Sequence, residues 1–215
     1  MKHNQIYSWL LVLLIPFCVY KFSQNPIDLY TAIFTFVFIY LMTDFISGIL
    51  HVILDNERSL DVKILHSLAW GFHSHHQRPK EIYEMKLYNH LYVMHLPLSL
   101  IFFIILLINQ PVVYFAYLSL AVSLHLMQMS HRWAHTPKNM LPKFVIFLQN
   151  IGLVLSAKTH AKHHNNVYDR NFCMMNGWSN FMVNFLVKVF GRTSHGWNIV
   201  FLAVLICMLT LPMLF

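Results

Sequence analysis

A chain of 215 residues that is 57% hydrophobic and only 11% charged lies far from the balance of a soluble domain and reads as an integral membrane protein. Its formal charge of +7 sits beside apolar runs, where basic residues mark a cytoplasmic face, so nucleic acid is excluded as a partner. Cys18, Cys173 and Cys207 form no CxxC pair and no even-numbered framework, which implies no disulfide.

In chain order, Ile6 to Tyr20 is the first apolar run, and no small-x-small cleavage site follows it before Lys21, so it is expected to stay as a membrane anchor. Asp28 to Asp55 reads as one helix of roughly 40 Å at ~1.5 Å per residue, longer than the ~30 Å hydrocarbon core, so its last turns should project from the bilayer. A polar loop over 57–89 follows. His90 to Ile108 and Pro111 to His131 form two further spans joined by a tight Asn109-Gln110-Pro111 turn. Met140 to Ser156 and Asn180 to Phe190 suit helices lying near the membrane surface, and Trp197 to Phe215 closes the chain as a last span that tolerates Pro212. The fold class is therefore all-α, a polytopic membrane helical bundle of about four to five transmembrane helices. It forms one integral-membrane unit with N-terminal membrane helices over 1–43, a histidine-rich core over 44–180, and a surface helix plus a final span over 181–215.

With five spans and an internal N-terminus, only Lys21 of the fifteen Lys and Arg falls on the outer side. That asymmetry is what the positive-inside rule expects, and it predicts an N-in, C-out multi-pass protein with its histidines at the cytoplasmic interface.

Fifteen histidines are the feature to explain. On the long second helix, Asp44, Gly48, His51 and Asp55 are spaced 4, 3 and 4, so they make one polar stripe on an apolar cylinder. A charged residue at membrane depth is costly and faces a protein interior or a site. Asp44 on its own reads as a hydrogen-bonding residue, whereas the His51-x3-Asp55 spacing suits a metal. The next polar segment supplies His75 and His76 as ligand candidates, while His66 and His73 read as residues of a solvated loop. His95 and His125 lie at similar depth on neighbouring spans and, with His90, are candidates for supporting or substrate contacts, or for a haem. His131 and His135 share a helix face at i, i+4, with Gln128 one turn earlier as a hydrogen-bond partner. Gln149 precedes the last cluster, Lys158-Thr159-His160-Ala161-Lys162-His163-His164, whose three imidazoles share one turn.

Eight imidazoles, from His51, His75, His76, His131, His135, His160, His163 and His164, join Asp55 as a ninth candidate ligand. One zinc needs three or four ligands and would leave half of these unexplained. Imidazole also suits iron, and two irons with open positions could share the set and activate dioxygen.

The motifs Asp44-x2-Ser47-Gly48-x2-His51-x3-Asp55, His75-His76-x2-Pro79, His131-Arg132-Trp133-x-His135-Thr136, Leu148-Gln149, Lys158-x-His160-x2-His163-His164 and Phe172-Cys173-x3-Gly177-Trp178-x-Asn180 occur in order. Together they make the chain resemble the plasmanylethanolamine desaturase family, which includes the plant fatty acid desaturase 4-like proteins. Two positions depart from the family pattern: Met85 stands where animal-type members carry a further histidine, and Val52 where tryptophan is usual. The resemblance implies two iron ions, O2 as oxidant and electrons from a cytochrome b5 or ferredoxin. It also implies a membrane glycerophospholipid as substrate, either an alkyl ether converted to a vinyl ether or an acyl chain desaturated near its carboxyl end. Asp44, His90, His95, His125, Gln128, Gln149, Lys158 and Asn176 are the expected supporting or substrate-side residues. A di-iron hydroxylase with the same ligands, a bis-histidine haem carrier and a metal transporter are the competing readings.

Overall fold

A computed structural model describes residues 2–108, 110–165, 169–193 and 196–211, and every regular element in them is helical. In chain order the helices are α1 (Lys2–Gln24), α2 (Leu29–Leu54), α3 (Arg58–Asp61), α4 (His66–Gln77), α5 (Lys80–Glu84), α6 (Leu87–Leu91), α7 (His95–Ile105), α8 (Pro111–His135), α9 (Lys143–Asn150), α10 (Ala157–His160), α11 (Asn180–Phe190) and α12 (Gly196–Thr210). A short 3-10 turn links α6 to α7 and another precedes α9. The Asn109 turn and Pro212 lie outside the described residues.

Three stretches are long and apolar enough to cross a membrane: α2, Leu87–Ile105 and α8. The expected first span falls on α1 and the expected last one on α12. Asp28 caps α2 instead of joining it, accepting the Tyr30 and Thr31 N–H groups at 2.9 and 3.1 Å. The Thr31 hydroxyl and these N–H groups hold its carboxyl below the usual range. Pro111 opens α8, where its missing N–H costs nothing.

The polar loop expected over 57–89 is instead largely helical, as α3, α4 and α5. Its helical signal is the i, i+4, i+7 series Leu65, Ala69 and Phe72, broken up by polar neighbours; Ala69 is fully buried and Phe72 meets His51 edge-on at 4.8 Å. His73, expected in a solvated loop, therefore sits on α4 with its Nε2 shut off from water.

The chain divides into two compact units, Met1–Met42 with Lys86–His125 and Ile206–Phe215, and Thr43–Met85 with Leu126–Leu205. In the first, Phe17 of α1 packs edge-on against Phe102 and Tyr114, and Tyr117 donates its hydroxyl to the Leu98 carbonyl at 3.2 Å. In the second, Ile49 and Val52 of α2 pack on Phe172, Cys173, Val183, Val187 and Trp197. Each fully buried apolar side chain there contributes about 1.5–3 kcal/mol. Gly48 allows this approach, because a Cβ there would lie 2.7 Å from Cys173 Sγ and 2.9 Å from Val183 Cγ2.

Candidate metal centre

The frame of the centre is the 172–180 segment, which three α2 and α8 side chains hold in place. Asp44 Oδ1 accepts the backbone N–H groups of Met175, Asn176 and Gly177 at 3.2, 3.0 and 3.0 Å, and its Oδ2 accepts that of Ser179 at 2.8 Å. Four convergent N–H donors form an anion nest that offsets the cost of burying the carboxylate. Gly177 makes the nest possible with φ of 84°, a left-handed conformation that favours glycine. Ser47 Oγ accepts the Met174 N–H at 3.0 Å while donating to the Asp44 carbonyl. On α8, Ser130 donates to the Met175 carbonyl and accepts the Leu155 N–H. Asn176 serves the same loop, accepting the Trp178 N–H at 2.8 Å, and Gln149 donates to the Leu155 carbonyl at 3.0 Å.

All nine ligand candidates converge in this unit. The ligand atoms of His75, His131, His135 and His160 lie within 4.8 Å of one another, as do those of His51, Asp55, His76 and His163, two groups with no shared member. His164 joins His75 and His76 in a third group that draws on both. The Nε2 atoms of His131, His135 and His160 form a triangle with sides of 2.9 to 3.2 Å. Three imidazoles at right angles on one ion with metal–nitrogen bonds of ~2.1 Å stand ~3.0 Å apart, so the triangle has the size of one face of an octahedral site.

The second group tests the fit differently. His51 Nδ1 and His163 Nδ1 lie 2.8 and 3.0 Å from the Phe172 and Arg170 carbonyls, which can only accept, so each ring carries its proton there and turns a lone pair on Nε2 inward. Those lone pairs face Asp55 Oδ2 at 3.5 and 3.3 Å. Both Asp55 oxygens and His51 Nε2 are buried with no hydrogen-bond partner, as is His75 Nε2 in the other group. Acceptors crowding acceptors away from water repel one another unless a cation lies between them, and that is the requirement a metal meets.

Protonation agrees. Burial, then neighbouring imidazoles, push His75 and His160 well below the ordinary histidine range, His76 to about 2 and His164 to about 3. These rings are therefore neutral at pH 7, the form that ligates. Burial raises the Asp55 carboxyl.

The remaining candidates fall elsewhere. His90, His95 and His125 belong to the first unit, where the His95 Nδ1 meets Ser8 Oγ at 2.7 Å and the His125 Nδ1 donates to the Ala121 carbonyl at 2.7 Å. The His95 and His125 rings are 5.4 Å apart at 37°, in contact with each other and not spaced to sandwich a porphyrin. Gln128 is buried on α8 and Lys158 is exposed on α10. Arg132, one of the basic residues near the clusters, donates to the Ile82 and Tyr83 carbonyls at the end of α5. Sequence reasoning missed Ser130, whose two backbone contacts lie 25 and 45 residues away and leave no local pattern.

A profile of the lipid desaturase domain matches residues 40–206. The chloroplastic fatty acid desaturase 4 of Arabidopsis thaliana is 32% identical over 149 residues, covering 66% of this chain and 44% of the relative. The chloroplastic fatty acid desaturase 4-like 1 of the same plant is 31% identical over 139 residues, or 64% and 47% of the two chains. The plasmanylethanolamine desaturase of Myxococcus xanthus is 28% identical over 147 residues, or 66% and 52%. The chain thus spans about half the length of each of these relatives. No solved structure matches it.

Proposed function

This chain belongs to the lipid desaturase domain family, and on that premise we propose that it is a multi-pass membrane di-iron desaturase that places a double bond in a glycerophospholipid chain. The favoured conversion is of a 1-O-alkyl lipid to its 1-O-alkenyl, vinyl ether product. The observation that carries the reading is the pair of four-residue donor groups without a common member, which suits two ions side by side. His75, His131, His135 and His160 would hold one iron, His51, Asp55, His76 and His163 the other, with His164 beside both. When bound, the irons supply the oxidising chemistry: O2, two electrons and two protons, together with two hydrogens from adjacent carbons, yield an alkene and two waters.

The residues of the chain do the rest. The Phe172 and Arg170 carbonyls fix the tautomers of His51 and His163, so that their lone pairs stay inward through every turnover. Asp55 would supply the one carboxylate of a donor set otherwise made of imidazoles, and neutral nitrogen donors would leave bound irons more oxidising than a carboxylate-rich set would. Burial of His51, His131, His160 and His163 keeps water from the reacting carbons. Electrons would come from a cytochrome b5 or ferredoxin donor on the cytoplasmic side, the orientation that the loop Lys and Arg residues favour.

The test is expression in cells that lack vinyl ether lipids, followed by lipid profiling by mass spectrometry, with His163→Ala as control. New alkenyl lipids with the wild type and none with the variant are expected, with two irons per purified chain. Hydroxylated lipids without alkenes would point to the hydroxylase reading, and neither product would sink both.

A further inference from the structure

Beside the second donor group lies an open bay of about 520 Å³ that none of the ligand assignments uses. Asp55 and His76 form part of its wall, and Arg58, Arg192 and His73 also line it. The Nε2 of His73 is shut from water and has no hydrogen-bond partner. Arg58 Nη1 lies 3.5 Å from the Thr193 carbonyl, a weak contact between the start of α3 and the 191–193 turn. Glu57 is the one carboxylate on the wall besides Asp55, so two guanidiniums outweigh it once Asp55 faces a metal.

A second, more apolar crevice of about 120 Å³ adjoins the bay, lined by Ile53, Val62, Leu65 and Trp197. The two hollows share Asn56, Arg58 and Arg192. The guanidiniums thus stand at a boundary, with metal-facing polar wall on one side and apolar wall on the other.

We infer that Arg58 and Arg192 form a phosphate subsite that holds the phosphodiester of a lipid substrate beside the metal centre. Guanidinium forks match phosphate oxygens in pairs, which a lysine cannot do. The bay has the size of a small-molecule site, whereas a protein electron donor would need a broad, shallow face. An adjoining apolar crevice is what an amphiphile requires and a free phosphate ion does not. The phosphate would sit in the bay that Asp55 and His76 help to wall, beside the second donor group.

The inference rests on the lipid reading above, but its test does not depend on turnover. Calorimetry on the metal-loaded protein in detergent would compare dihexanoyl-phosphatidylglycerol with dihexanoylglycerol, which lacks the phosphate, and with inorganic phosphate. The wild type is expected to prefer the phosphodiester lipid by about tenfold or more over both. R58Q/R192Q should erase that preference while leaving dihexanoylglycerol affinity and the metal content unchanged. The lysine variants R58K and R192K, which keep the charge and spare the fold, should each weaken phosphodiester binding several-fold. A preference that survives the double variant, or lysine variants that bind as the wild type does, overturns the proposal. Equal affinity for inorganic phosphate would assign the site to the free ion. A chain that binds the lipid through these arginines yet makes no double bond would leave the subsite standing and remove the desaturase reading.

Discussion

The histidines of the two units do different work, although both sets are buried or half-buried in apolar surroundings. In the unit built on residues 86–125, His95 and His125 spend their Nδ1 atoms on a serine hydroxyl and a helix carbonyl, and their rings lie tilted against each other. In the unit built on 43–85 and 126–205, backbone carbonyls take the Nδ1 protons of His51 and His163, and the Nε2 atoms point at one another and at Asp55. All four rings use Nδ1 in this way, so what marks a candidate ligand here is the surroundings of Nε2, which in the second unit crowds other imidazole nitrogens and a buried carboxylate. Burial alone does not distinguish them.

The sharpest break of that contrast is at the second donor group. Asp55→Ala or His163→Ala should cut product formation at least about 100-fold and lower iron from two per chain to one or fewer, read by elemental analysis. Retention of two irons in either variant would remove these residues from the ligand set. Next in size is Asp44→Asn, which faces four N–H donors with a neutral amide whose NH2 cannot accept. Hydrogen bonds to a charged group contribute about 1.5–3 kcal/mol each, so a loss near 3 kcal/mol is expected, measured as a fall in the thermal midpoint with metal release on the same transition. Gly177→Ala should cost about 1–2 kcal/mol by the same measurement, from the positive φ and from a Cβ set 2.8 Å from Asn180 Nδ2. Smallest is His95→Phe, which removes one half-buried hydrogen bond to Ser8: about 1 kcal/mol of stability is at stake, and the iron content should stay at two. Loss of iron in that variant would erase the distinction between the two sets.

The donor set was legible because each ligand cluster is local in sequence: His131 and His135 a helical turn apart, His160, His163 and His164 within five residues, His51 and Asp55 on one stripe. The long apolar helices were legible for the same reason, since periodicity and length are properties of a continuous stretch. The sequence did not disclose α4, because its apolar face is short and interleaved with His66, His73, His75 and His76, so polarity outweighed period. Nor did it disclose the partner of Asp44. A carboxylate on an apolar helix announces that something must satisfy it, but the four donors are backbone atoms, and backbone N–H groups have no residue identity to read. Arg58 and Arg192 lie 134 positions apart and become neighbours only through the fold.

The Asp44 nest also has a consequence in time. Its donors lie 131 to 135 residues downstream of the carboxylate they surround. At ~5–20 residues per second, synthesis leaves Asp44 waiting for roughly 7–27 s before its donors exist. Throughout that interval α2 carries a carboxylate at membrane depth with only water, a proton or the insertion machinery to satisfy it. The segment that closes the nest is made after every candidate ligand, so the ribosome delivers the candidate ligands first and the frame that holds them last.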